Sequence, residues 1–87
     1  MTYKIIEQIS KISGVRMDTI LKNTLKFTNE ELKEIVNQEY NNMMNSYIFD
    51  IKTESDKIIR IYFQKIRTNG TFRKSYITIK NFNIFYL

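Results

Sequence analysis

The hydrophobic pattern of this chain changes period near residue 46, and its charge changes at the same place. Through residues 1–45 apolar side chains recur at spacings of three and four, as on helices with one buried face; from residue 47 they alternate, as in half-buried strands. The first half balances Lys4, Lys11, Arg16, Lys22, Lys26 and Lys33 against Glu7, Asp18, Glu30, Glu31, Glu34 and Glu39. Residues 46–87 hold eight basic and three acidic side chains, so the whole net charge of +5 lies there. A chain of 87 residues is one domain, 1–87. The expected class is α+β: a helical half, 1–45, with three helices, packed on an antiparallel sheet of three to four strands in the second half, 46–87. Such a domain buries only about 60–65% of its unfolded surface, so its six Tyr and six Phe carry much of the apolar burial.

Ile5, Ile6, Ile9 and Ile12 mark the buried stripe of a first helix over residues 3–13, which Gly14 stops by tolerating a left-handed conformation. Val15 then turns back to the core, and a second helix over residues 17–25 directs Ile20 and Leu21 inward. Thr28-Asn29-Glu30-Glu31 has the form of a capping box, in which the Thr28 hydroxyl accepts from the Glu31 amide. Leu32, Ile35, Val36, Tyr40, Met43 and Met44 follow at helical spacing, which predicts a third helix ending near Asn45.

Residues 4–27 resemble the helix-turn-helix of bacterial and phage transcriptional regulators, particularly the lactose-repressor family. The matching residues are Ile9-Ser10-Lys11-Ile12-Ser13-Gly14-Val15 and the pair Thr19-Ile20, and a third helix from Thr28 extends the likeness to a headpiece over residues 4–45. The resemblance implies a recognition helix that places Arg16, Met17, Asp18, Thr19, Lys22 and Asn23 at the major groove. The plainer alternative is two packed helices meeting at a glycine turn.

In the second half, strands are expected over residues 47–53, 58–67 and 72–80. Asn69-Gly70 predicts a two-residue hairpin turn, which pairs Tyr62 with Ile77 and sets Lys65 beside Lys74. A turn centred on Ser55-Asp56 similarly sets Phe49 opposite Tyr62. One face then gathers Tyr47, Phe49, Ile51, Ile58, Tyr62, Ile66, Ile77 and Ile79 for the helices. The other carries Lys52, Lys65, Arg67, Lys74 and Lys80 around Ile59, Ile61, Phe63, Phe72 and Tyr76, a basic and aromatic surface of the kind that binds single-stranded nucleic acid. A one-residue register slip exchanges the two faces, and lysines on exposed strands also protect sheet edges. The tail Asn83-Ile84-Phe85-Tyr86-Leu87 is expected to pair as a further strand, dock in a groove or form an intermolecular edge.

The chain has no Cys and no His, which excludes disulfides, thiolate nucleophiles, His bases and the usual zinc sites. It lacks Ala, Pro and Trp and is rich in Ile, Lys and Asn, a bias that points to an AT-rich genome of a bacterium, phage or mobile element. Lys4, Glu7 and Lys11 interrupt the first fifteen residues, so neither a signal peptide nor a membrane span is expected, and the expected compartment is the cytoplasm. No phosphate loop, nucleophile elbow or metal helix is found, and Asp50 is a strand carboxylate without a second to share a cation. The reading is a non-enzymatic, cofactor-free and metal-free protein. It binds DNA through the helix-turn-helix-like unit and the basic sheet as a transcriptional regulator, or it is a phage-type inhibitor of a nucleic-acid-guided host nuclease, in the manner of anti-CRISPR proteins. The expected binding residues are Arg16, Thr19, Lys22, Asn23, Lys52, Lys65, Arg67, Phe72, Lys74, Tyr76 and Lys80. Expected partners are duplex DNA or guide RNA, a host nuclease complex, and a second copy through an edge strand or the tail.

Overall fold

A computed structural model describes residues 2–69 and 75–87. Two helices, α1 (Thr2–Ser13) and α2 (Met17–Leu25), precede four strands, β1 (Leu32–Asn41), β2 (Ser46–Thr53), β3 (Ile58–Asn69) and β4 (Ser75–Tyr86). The strands form one antiparallel meander in the order β1-β2-β3-β4. The α+β class and the C-terminal sheet stand, but the expected third helix does not exist, and most of its residues form an edge strand.

Two β-bulges explain that correction. They interrupt β1 between Leu32 and Glu34 and between Ile35 and Asn37. Each inserts an extra residue, so the side chains turned to the helices are Leu32, Ile35, Gln38 and Tyr40, spaced three, three and two apart. A bulged strand thus imitates helical periodicity. The expected capping box is also different: the Thr28 hydroxyl accepts from the Glu30 amide at 3.0 Å, and the Glu31 amide instead donates to the Glu54 carboxylate at 3.3 Å. Glu31 also accepts through its carbonyl from the Glu54 amide at 2.9 Å, so this segment is tied to the β2–β3 turn.

The helices cover one face of the sheet. Ile5, Ile6 and Ile9 of α1, Val15, and Ile20 of α2 are buried with Leu32, Tyr47, Phe49, Ile51, Ile59, Ile61 and Phe63. Met17, Leu21, Ile35, Ile77, Ile79, Phe82 and Ile84 pack around this cluster, while Ile12, expected inside, is exposed. A line of ring contacts crosses every strand: Tyr40 tilted on Tyr47 at 4.7 Å, then Tyr47 stacked on Phe63 at 5.6 Å, Phe63 on Phe82 at 6.0 Å and Phe82 on Phe27 at 6.2 Å. Such pairs add to burial through their offset geometry.

The register of β3 differs by one residue from that expected, because the β2–β3 loop is odd in length. Asp56 takes φ 65°, its amide bonds back to the Thr53 carbonyl, and the Thr53 amide bonds to the Lys57 carbonyl. Phe49 therefore pairs with Ile61 rather than Tyr62, and Ile51 with Ile59. A shift of one exchanges faces. Ile59, Ile61 and Phe63 turn to the core, and Ile58, Tyr62 and Ile66 turn away from it. The β3–β4 pairing also departs from the two-residue turn: Asn69 pairs with Ser75, Lys65 with Ile79 and Arg67 with Ile77. Gly70, Phe72 and Lys74 lie outside the described residues. The tail pairs with β3 as the end of β4, past a bulge where Asn81 takes φ 57°, and the Leu87 amide bonds to the Ile58 carbonyl.

Candidate nucleic-acid interface

β3 and β4 are the longest strands, and beyond Gln64 they outrun β2, whose pairing with β3 starts at Ser46–Gln64. The rest of the hairpin projects, and the molecule measures 46 × 24 × 19 Å. Two other elements meet the base of this projection. The Asn45 carbonyl, in the turn between β1 and β2, accepts from the Lys65 amide at 2.8 Å, and its side-chain amide donates to the Lys65 carbonyl at 2.9 Å. The Lys65 ammonium donates to the carbonyl of Ser13, the last residue of α1, at 2.9 Å and lies 5.5 Å from the Tyr47 ring centre. A cation at a helix C-terminus satisfies a carbonyl that has no partner within the helix and opposes the negative end of its dipole. Lys65 therefore joins the α1–α2 turn to the hairpin.

That turn has the geometry that the glycine predicts. Gly14 takes φ 77° and its amide closes on the Ser10 carbonyl at 2.8 Å. Val15 is buried, and α2 starts at once after Arg16. Arg16 pairs with Asp18 at 3.1 Å, both exposed, so the first turn of α2 balances its own charge. Thr19 is half-buried and its carbonyl accepts from the Asn23 side chain at 2.8 Å, whereas Lys22 is exposed without an ion-pair partner among the described residues.

Among the described residues the cations of the sheet half divide into engaged and free. Lys52 pairs with Asp56 at 2.9 Å, which raises its pKa through that hydrogen bond. Arg60 grips Asp50 with two hydrogen bonds, Nε to Oδ1 at 2.7 Å and Nη2 to Oδ2 at 3.0 Å, and Asn37 adds a third at 3.1 Å. The Arg60 hydrogen bonds hold the Asp50 carboxyl below the usual carboxylate range. Asp50 is thus a structural ion-pair partner. Lys57 lies 5.5 Å from the Tyr86 ring centre. Arg67 and Lys80, both exposed, have no ion-pair partner among the described residues, and both stand on β3–β4 at or beyond the end of β2. From Lys57 onward the sequence contains Lys57, Arg60, Lys65, Arg67, Arg73, Lys74 and Lys80 and no Asp or Glu.

The expected basic face is therefore dispersed. Lys65 and Arg67 occupy inward register positions, with Lys65 bound to α1, while Lys80 and Tyr76 point outward and Lys52 lies on the far side of Asp50. The predicted contact of Lys65 with Lys74 gives way to the Lys65–Ile79 pair. Tyr62 and Phe85 are outward rings that the sequence does not reveal: the odd β2–β3 loop turns Tyr62 outward, with Asp56, a residue tolerant of positive φ, as its only trace, and the β4 register past the Asn81 bulge sets Phe85 opposite Arg60. At the opposite end, a cleft of about 540 Å³ runs along Phe27, Glu30, Glu54 and Tyr86. Both of its carboxylates are committed: Glu54 accepts from the Glu31 amide, and Glu30 accepts from Ser55 and from the Tyr86 hydroxyl, which lower its pKa to about 2. Among the described residues no acidic cluster is placed to hold a metal ion, and no helix is long and apolar enough to cross a membrane. No protein-family model, curated protein or solved structure matches the chain.

Proposed function

We propose that this chain is a small non-enzymatic nucleic-acid-binding protein of the transcriptional-regulator type, which holds its ligand with the projecting end of β3–β4 beside the α1–α2 unit. One observation carries the reading: the chain has no acidic side chain after Asp56, and Arg67 and Lys80, which have no ion-pair partner among the described residues, stand on the hairpin that Lys65 ties to the α1–α2 turn. Cations free of carboxylates release counterions when they meet phosphate, which supplies affinity and makes it depend on salt. The helix pair follows the hairpin to the same ligand, with Lys22 as a further cation and Arg16 already partly neutralised by Asp18.

Fluorescence anisotropy of labelled nucleic acid at two salt concentrations tests this. Arg67→Ala with Lys80→Ala should weaken binding and lower the salt slope by about two, whereas Arg16→Ala should have the smaller effect. Wild-type affinity in the double variant would refute the proposal. The inhibitor reading draws on a separate feature at the same end: Met43 and Met44, 97% and 54% exposed, form a soft apolar tip on the β1–β2 turn, suited to a protein surface. Met43→Ser with Met44→Ser should then abolish inhibition of a host nuclease while leaving nucleic-acid affinity unchanged.

A further inference from the structure

We infer that the outer face of β3–β4 is a stacking platform for single-stranded nucleic acid, with bases on Tyr62 and Phe85 and phosphates led by Lys80 towards the projecting end. The inference rests on the nucleic-acid reading above and specifies its ligand. Two sets of rings can be distinguished among the described residues of the sheet and its flank. Tyr40, Tyr47, Phe49, Phe63, Phe82 and Phe27 pack ring on ring along the inward face and its flank. Tyr62, Tyr76 and Phe85 turn to the opposite face and stack on no other ring among the described residues. Phe85 is 44% exposed and Tyr76 52% exposed, and Tyr62 is half-buried.

Their placement suits a strand rather than a duplex. Phe85 stands opposite Arg60, and Tyr62 lies two residues further along β3 on the same face, so the two rings are diagonal neighbours. Lys80 pairs with Gln64, the next outward position after Tyr62, and Tyr76 pairs with Thr68 towards the end of the hairpin. Rings and cation thus follow one line along the hairpin. Charge selects the same half of the face: the outward positions of β1 and β2 hold Glu34, Glu39 and Asp50 against Lys52 alone, whereas those of β3 and β4 bring Arg60, paired with Asp50, and Lys80, without an ion-pair partner among the described residues, and no carboxylate. A polyanion is repelled from one half and held on the other. Exposed rings capture bases only where the base face is open, which is the case in single strands and not inside a duplex.

The test compares a labelled twenty-nucleotide oligothymidylate with a duplex of equal length, using the full chain at one salt concentration. The expected result is at least tenfold tighter binding of the single strand. Tyr62→Ala with Phe85→Ala should lose tenfold or more of that affinity with an unchanged salt slope, because stacking rather than phosphate contact is removed, and Tyr62→Phe should retain it. The wild-type comparison needs no variant, so a variant that fails to fold does not remove the test. Preference for the duplex, or ring variants that bind the single strand like wild type, would overturn the platform and leave the nucleic-acid reading in place. Failure to bind either form would overturn both.

Discussion

Lys65 changes its meaning between sequence and structure. Beside Lys74 it would be one of two repelling charges, and replacing it would relieve the sheet; bonded to the Ser13 carbonyl and set over Tyr47, it stabilises the end of α1. Lys65→Met should lower stability by about 1–2 kcal/mol, from one charge-assisted hydrogen bond and a helix-terminal cation. An unchanged urea midpoint would remove this link between turn and hairpin. Gly14 separates geometry from space in the same way: an added Cβ there meets only the Lys65 ammonium at 3.9 Å, yet φ is 77°. Gly14→Val should cost about 1–2 kcal/mol and Gly14→Asn clearly less, because Asn adopts that conformation more readily. Two carboxyls govern acid sensitivity: Asp50, held low by Arg60, and Glu30, held at about 2 by Ser55 and Tyr86. The folded protein binds their protons more weakly than the unfolded chain, so their stabilisation is complete above about pH 5 and is lost as pH falls through about 4 towards 2. Glu30→Gln and Asp50→Asn should each flatten the fall of the urea midpoint between pH 5 and 3, and an unaltered slope in both would show that these bonds do not form.

Among the elements, β1 is the one that the sequence disguised. Its apolar residues have helical spacing only because two bulges displace the alternation, and a bulge is set by pairing with β2, which local periodicity does not report. Chemical shifts of residues 32–41 should be those of a strand; helical values would contradict the fold. The two helices, the glycine turn and the strand content of the second half were legible, since each is encoded over a few neighbouring residues. Register was not. It depends on loop length at the 53–57 turn and between Asn69 and Ser75, and the one-residue difference at the former moved Ile59, Ile61 and Phe63 into the core and Tyr62 out of it. Of the site residues, Arg67 and Lys80 keep their expected availability, whereas Lys52 and Lys65 are engaged within the chain.

At the scale of the whole molecule the two ends differ in kind. One is held by Glu30, Ser55 and Tyr86, the α2–β1 connection and the last residue of β4. The other brings together the α1–α2 turn, the exposed methionines of the β1–β2 turn and the basic hairpin around Lys65. Arg67 and Lys80 are exposed at this second end, so their charge costs little there, and it orients an approaching polyanion before contact. The most direct measurement is an amide chemical-shift titration of the full chain with nucleic acid. Arg67, Tyr76, Thr78 and Lys80 should shift together with Gly14 and Arg16, while Glu30, Ser55 and Asp56 stay in place. Shifts confined to the Glu30 end, or absent at saturating nucleic acid, would contradict the proposed interface.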